Sequence, residues 1–270
     1  MNKREAQFVE IVRTFYTRHG RRSLPWRVSR DPYHILVSEI MLQQTQVERV
    51  IPKYTEFLDT FPTLETLAKA SLGNVLRAWQ GLGYNRRAKM LHAAARDIVD
   101  NQNGVFPRTY EELKSLPGVG PYTAGAIMAF AYNKALPIIE TNIRTVYLHH
   151  FFKNKEYVSD AEILPIITRT LPEGSARLWY AALMDYGTYL KKEYGNQNTR
   201  SKHYTKQSAF AGSDRQTRGA ILRLLGASPL SKPRLFRELE GQKEQMEKQL
   251  IKLLEEGLVV KNGPLYGLPE

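Results

Sequence analysis

The segment Leu113-Lys-Ser-Leu-Pro-Gly-Val-Gly-Pro-Tyr-Thr-Ala-Gly-Ala-Ile127 constrains this chain more than any other. Apolar spacing ends a helix at Leu116, Pro117-Gly118-Val119-Gly120 turns the chain, and a new helix begins near Tyr122. Glycine lets a backbone turn tightly and come close to a ligand. The first N–H groups of the second helix have no partner within it and lie at its positive dipole end, where a phosphate fits. Such a contact fixes register on a nucleic acid without reading its sequence. The alternative is an ordinary helix–helix turn, which a lone Gly-x-Gly favours. The full Leu-Pro-Gly-Val-Gly with helices on both sides favours a helix-hairpin-helix, with Gly118 and Gly120 facing DNA.

Helical periodicity surrounds this hairpin. Phe8, Ile11, Val12, Phe15 and Tyr16 fall on one face of an amphipathic helix. Segments 35–47, 49–60, 64–69, 73–80, 86–100, 109–115, 122–132, 142–151, 160–170 and 175–191 also read as helices, with Gly and Pro between them. Strand-like alternation is nearly absent, so residues 1–190 are expected to form an all-α domain. Residues 191–214 read as a basic linker, rich in Gly, Asn, Gln, Ser and Thr. Residues 215–270 carry three helical stretches: Ile221 to Leu225, Pro233 to Leu239, and Met246 to Leu254. Two short apolar runs then flank Asn262-Gly263, a hairpin signal. That order fits a small α+β winged-helix-like domain, which either binds DNA or only packs against a neighbour.

The charge points the same way as the hairpin. The chain has 270 residues and a net charge of +12. Positive charge concentrates in residues 1–30, at net +6, and in residues 188–218, at net +5. A polyanionic partner, most often nucleic acid, is implied. The chain has no cysteine, which excludes disulfides, thiolate nucleophiles and thiolate-held iron–sulfur clusters. No apolar run approaches the ~20 residues that cross a bilayer, and the N-terminus has no signal-type core. The expected address is cytoplasmic and nucleoid-associated, with no membrane partner.

Five blocks carry a resemblance to a known family: Leu24-Pro25-Trp26-Arg27, Ser38-Glu-Ile-Met-Leu-Gln-Gln-Thr-Gln-Val47, Trp79-Gln-Gly-Leu-Gly-Tyr84, Leu116 to Ile127, and Glu140-Thr-Asn-Ile-Arg144. In this order and approximate spacing they resemble the helix-hairpin-helix (HhH-GPD) DNA glycosylases, and most closely the MutY-type adenine glycosylases. The resemblance covers roughly residues 5–190. It implies two helical subdomains flanking an active-site cleft.

The resemblance gives Glu39 the role of general acid that protonates adenine. Glu39 sits among Ile35, Leu36, Val37, Ile40, Met41 and Leu42, and a carboxylate desolvated there holds its proton to a higher pH. The alternative is a glutamate on a polar stripe facing water. The residues alone favour that alternative; the resemblance favours catalysis. Glu140 matches the family aspartate that stabilises the oxocarbenium-like sugar, and Asn142 an asparagine near the same sugar. At the start of a helix the dipole is expected to keep Glu140 ionised. One protonated and one ionised carboxylate is the general logic of glycosidic cleavage. Glutamate in place of aspartate shifts the charge by about 1.5 Å.

Tyr122 stands where related bifunctional enzymes such as endonuclease III carry a lysine that attacks the sugar. Tyrosine forms no imine, so a monofunctional enzyme without lyase activity is implied. Trp26 and Arg27 match residues lining the base pocket. Gln43, Gln44 and Tyr84 are expected to contact DNA, with Gln44 and Tyr84 wedged into the stack when a base is flipped out. Lys202, in the basic segment, is expected to contact phosphate.

The chain departs from the family in four ways. The four-cysteine iron–sulfur cluster is replaced by Glu193 to Tyr204, so no cofactor is expected. No counterpart of the domain that reads 8-oxoguanine is expected, since the tail reads as winged-helix-like. Asn85 stands where a second tyrosine is common, and Ala181 where a Glu or Gln often contacts adenine. The expected function is hydrolysis of the N-glycosidic bond of a mispaired base, foremost adenine opposite guanine or 8-oxoguanine in double-stranded DNA, by a monomer. The alternatives are a thymine or uracil mismatch glycosylase, and a non-enzymatic damage-recognising DNA-binding protein.

Overall fold

The computed structural model describes residues 1–206, 209–239 and 242–270; positions 207–208 of the basic stretch and 240–241 of the C-terminal module lie outside the described residues. The helices are α1 (Lys3–His19), α2 (Pro25–Val28), α3 (Pro32–Leu42), α4 (Val47–Thr60), α5 (Leu64–Lys69), α6 (Leu72–Ala78), α7 (Arg86–Asn101), α8 (Tyr110–Ser115), α9 (Pro121–Phe130), α10 (Thr141–Phe151), α11 (Asp160–Thr170), α12 (Ala176–Tyr194), α13 (Asp214–Ala227), α14 (Lys232–Glu238) and α15 (Lys243–Glu255). Strands β1 (Leu230–Ser231), β2 (Val260–Asn262) and β3 (Leu265–Gly267) are short. The chain forms two compact units that do not follow chain order.

The first unit comprises Met1–Leu36, Arg108–Ser115 and Val119–Lys206. Its centre is the packing of α10 on α12, around fully buried Tyr147 and Tyr180. α1 lies against α12 and α11. It starts at a capping box in which Asn2 and Glu5 exchange backbone-to-side-chain hydrogen bonds of 2.9 Å. Its buried stripe is Glu5, Phe8, Val9, Val12 and Tyr16, not the sequence-expected face through Ile11 and Phe15. The stripe includes Glu5, whose carboxylate accepts from the Asn2 N–H at 2.9 Å and pairs with Arg169 at 2.8 Å. Ile11 is left exposed, and Phe15 sits at the rim against Tyr186 and Tyr189.

The stretch read as a linker is pinned over part of its length. Asn196 caps a 3-10 turn over Gln197–Arg200. Buried Asn198 donates to the Thr141 carbonyl at 3.0 Å and to Thr145 Oγ1 at 2.6 Å, fastening the turn to the first turn of α10.

The second unit comprises Val37–Pro107, Leu116–Gly118 and Gln207–Glu270. α7 packs on α5 and α6 around Trp79, Leu91 and Ile98. The C-terminal module has the helix–strand–helix–helix–hairpin order of a winged helix, with an antiparallel sheet in the order β1-β3-β2. The hairpin turns where Asn262-Gly263 stand, and Gly263 takes φ +59°. α13 packs on α6. The chain end is tied back by a 2.6 Å hydrogen bond from the Gly73 N–H to the Pro269 carbonyl. A side chain at Gly73 would strike that carbonyl, so glycine is required there. β1 and the single turn α2 carry no sequence signal because each is too short to show a period.

Candidate active site

The expected site residues divide between the units. Trp26, Arg27, Gly120, Tyr122, Glu140, Asn142 and Lys202 belong to the first; Glu39, Gln43, Gln44, Tyr84 and Gly118 belong to the second.

Glu140 is the N-cap of α10, as its place in the sequence suggests. Its Oε1 accepts hydrogen bonds from the N–H groups of Asn142 and Ile143, both at 2.8 Å. The Asn142 side-chain amide donates to Oε2 at 3.3 Å. These donors and the Arg144 charge favour the carboxylate, but desolvation is the larger effect and raises its pKa above the ordinary value. Burial and the donors at the helix start thus act on the Glu140 carboxyl in opposite directions.

Asn142 is held from behind by Gly187 of α12. A Cβ on Gly187 would overlap the Asn142 carbonyl oxygen and lie 2.7 Å from its carbonyl carbon. Sequence reasoning missed Gly187. A glycine inside a long helix was its only signal.

Trp26 is buried, and Arg27 follows it on α2. The Arg27 side chain is 9% exposed and its Nη2 lies 3.3 Å from buried Asp185. Its Nη1 is buried without a hydrogen-bond partner among the described residues. Asp185 also accepts from the backbone N–H and Nε of Arg21, each at 2.9 Å. Asp185 thus anchors two arginines, and it too was missed, since a lone acidic residue in a helix reads as surface.

The hairpin has the expected form. Gly118 takes φ +74°, and a Cβ there would strike Met90. Gly120 caps α9, whose first turn has Pro121 at N1 and no side-chain cap. Both glycines are exposed while Val119 between them is buried, so backbone rather than side chain faces outward. Tyr122 is half-buried in that first turn. Lys202 is exposed, with its backbone N–H bonded to the Val158 carbonyl at 3.0 Å.

In the second unit Glu39 is 6% exposed, and Ile35, Leu36, Val37, Ser38, Ile40 and Met41 around it are buried. The water-facing alternative for Glu39 does not match this placement.

Gln44 and Tyr84 adopt φ +55° and +47°. Non-glycine residues rarely occupy this left-handed region, at a cost of about 1–2 kcal/mol each. The strain is held by Arg87, which the sequence did not single out. Its guanidinium donates to the carbonyls of Ile40 at 2.7 Å, Met41 at 2.9 Å and Gln43 at 2.5 Å. It also reaches Thr45 Oγ1 at 3.0 Å and the carbonyls of Leu82 and Gly83 at 3.3 and 3.2 Å. One side chain thus closes the C-terminus of α3 and fixes the loops on either side of Gln44 and Tyr84. These loops, with Gly118, Arg215 and Arg218, line a cavity of about 740 Å³.

With no cysteine the chain has no thiolate donors for an iron–sulfur cluster. Over 197–201 the backbone is positioned instead by hydrogen bonds, including Arg200 to the carbonyls of Phe152 and Lys153.

The family model for HhH-GPD superfamily base excision DNA repair proteins matches residues 37–165. The adenine DNA glycosylase of Mycolicibacterium smegmatis is 35% identical over 260 residues, covering 89% of this chain and 89% of that protein. The adenine DNA glycosylase of Buchnera aphidicola subsp. Baizongia pistaciae is 36% identical over 187 residues, 68% of this chain; the chain spans about half of that relative, 52%. A solved thermostable thymine-DNA glycosylase matches with a TM-score of 0.65 at 28% identity, covering 73% of this chain and 91% of that one. A mostly helical fold, a buried carboxylate on α3 and a glycine hairpin before α9 thus come with a sequence match, and the chain belongs to the HhH-GPD superfamily of base excision DNA repair proteins. Within it the chain is a member of the MutY-type branch, alongside those adenine DNA glycosylases.

Proposed function

We propose that this protein hydrolyses the N-glycosidic bond of adenine mispaired with guanine or 8-oxoguanine in double-stranded DNA. The observation that carries the reading is the burial of Glu39 on an apolar helix. A carboxylic acid there retains a proton for the departing base. The ionised form of Glu140 is the one that stabilises the sugar as positive charge develops, and Asn142 orients it. Arg27, steadied by Asp185, offers its unpartnered Nη1–H to an acceptor on the flipped base. The hairpin at Gly118 and Gly120, with Lys202, holds phosphate.

With Tyr122 in place of a lysine, the enzyme releases the base and leaves the sugar–phosphate chain intact. It works as a monomer and without an iron–sulfur cluster or other metal. Among the described residues no helix is long and apolar enough to cross a membrane, and the expected address is the cytoplasm, on nucleoid DNA.

The test is a panel of duplexes carrying A:8-oxoG, A:G, T:G and U:G. Strand breaks are expected at adenine, and only after alkali. Breaks without alkali, or a borohydride-trapped protein–DNA adduct, would overturn the monofunctional reading. Release of thymine or uracil in place of adenine would overturn the substrate, in favour of the activity named for the thymine-DNA glycosylase neighbour. Silence of both wild type and Glu39→Gln on every duplex would leave a binding protein.

A further inference from the structure

The C-terminal module has no role in the chemistry above, yet it reaches Tyr84, the residue read as entering the base stack. Arg215, in the first turn of α13, donates from Nη1 to the Tyr84 hydroxyl at 2.6 Å. Its guanidinium also lies 5.5 Å from the centre of the Tyr84 ring. Arg87 lies 5.4 Å from the same ring centre. Phe210 completes the stack, 6.0 Å from Arg215. A second link sits beside it: Arg218 pairs with Glu256 at 2.6 Å, and Lys89 of α7 donates to the Glu256 carbonyl.

Tyr84 needs such support. Its backbone is in the left-handed region, next to Gly83, which is itself at φ +70°. A side chain that enters a base stack must resist being pushed back by it. Arg87 fixes the loop backbone, and Arg215 contacts both the ring and the hydroxyl. A planar guanidinium suits this double contact, because it can stack and donate at once.

We propose that Arg215 is a positioning residue for base extrusion: it holds Tyr84 in the orientation that enters the stack. The C-terminal module is then part of the extrusion machinery. This rests on the reading of Tyr84 as the inserting residue. The contact predicts a dependence that a general phosphate contact would not give.

The test uses the full-length protein and a duplex with 2-aminopurine beside the target adenine, whose fluorescence rises when the base unstacks. Affinity for the fully paired duplex is measured in parallel. For Arg215→Ala the unstacking signal is expected to fall on the order of tenfold, and by a larger factor than the affinity. Arg215→Lys, which donates but does not stack as a plane, recovers part of the signal. Tyr84→Phe combined with Arg215→Ala should lose less than the sum of the single losses, since both remove the same hydrogen bond. Phe210 is 63% exposed, so Phe210→Ala tests the stack without threatening the fold, and a smaller loss is expected. Equal loss of signal and affinity would overturn the proposal, as would an unchanged signal or additive losses. Tyr84→Ala separates the two layers: if it leaves the signal intact, the inserting role of Tyr84 fails first; if it abolishes the signal while Arg215→Ala does nothing, only the role of Arg215 fails.

Discussion

Gly187 lies directly against the backbone of Asn142, so closely that no side chain fits between them. The contact sets how near α12 comes to the first turn of α10, where Glu140 caps the helix. Gly187→Ala must therefore push the Glu140–Asn142 turn away. Overpacking of this kind costs about 1–3 kcal/mol, and displacement of the carboxylate lowers kcat more than KM. Thermal melting and steady-state kinetics on an A:8-oxoG duplex check both. A variant with wild-type kcat would show that the turn tolerates the shift.

Glu140→Gln is expected to move activity and stability in opposite directions. The raised pKa means that ionising Glu140 costs the folded state more than the unfolded one. That group's contribution is therefore complete below the unfolded carboxylate range, and it diminishes as pH rises toward the folded value. Glutamine is neutral throughout and keeps an oxygen for the Asn142 and Ile143 N–H groups. The variant should gain stability relative to wild type between pH 4 and pH 8, about the unfolded carboxylate pKa and above it. Its kcat should fall by about two orders of magnitude, as when a charge-stabilising group is removed. Melting temperatures at both pH values decide; a widening deficit toward pH 8 would contradict the desolvation argument.

Arg87→Lys preserves charge but not the planar fork that reaches three carbonyls of the α3 terminus and two of the Gly81–Tyr84 loop. Burial already pushes the Arg87 pKa down to about 10, and a lysine at the same depth would be easier to deprotonate. Loss of about 2–4 kcal/mol in urea unfolding is expected, with weaker binding to mismatched duplex. A loss below ~0.5 kcal/mol would mean that the loops hold their strained conformation unaided.

What the sequence disclosed and what it hid have a common physical origin. α5 and α11 were legible to the residue because capping and apolar spacing are local properties. Glu39, Glu140 and the Gly118–Gly120 hairpin stood out as candidates because they occupy contiguous blocks. Arg87, Asp185, Gly187 and Arg215 did not, although each contacts or adjoins a candidate site residue. Their partners are far along the chain: Asp185 is 158 residues from Arg27, and Arg215 is 131 from Tyr84. In sequence, such residues read as an ordinary helical charge or an unexplained glycine. The buried face of α1 also departs from the expected one, because Glu5 is buried with its carboxylate held by the Asn2 N–H and by Arg169.

His150 should make the protein sensitive to acid independently of its activity. Its ring packs between Phe8 and Tyr186 at 5.1 and 5.6 Å, and Nε2 lies 3.0 Å from the Tyr186 hydroxyl. Burial, then the nearby His149 and Arg4, push its pKa down to about 4. An unfolded histidine titrates near 6.5. Below that value the unfolded chain takes up a proton that the folded chain refuses until about pH 4. The stabilisation is thus complete above pH ~6.5 and is lost as pH falls through this window, by at most about 3 kcal/mol and less after solvent screening. Carboxylates titrate in part of the same range, so the comparison must be with His150→Gln, which lacks only the imidazole. Between pH 7 and pH 4.5, on either side of the unfolded histidine pKa, the urea midpoint of wild type should drop further than that of the variant. Parallel slopes would show that His150 is not protected from protonation by its packing.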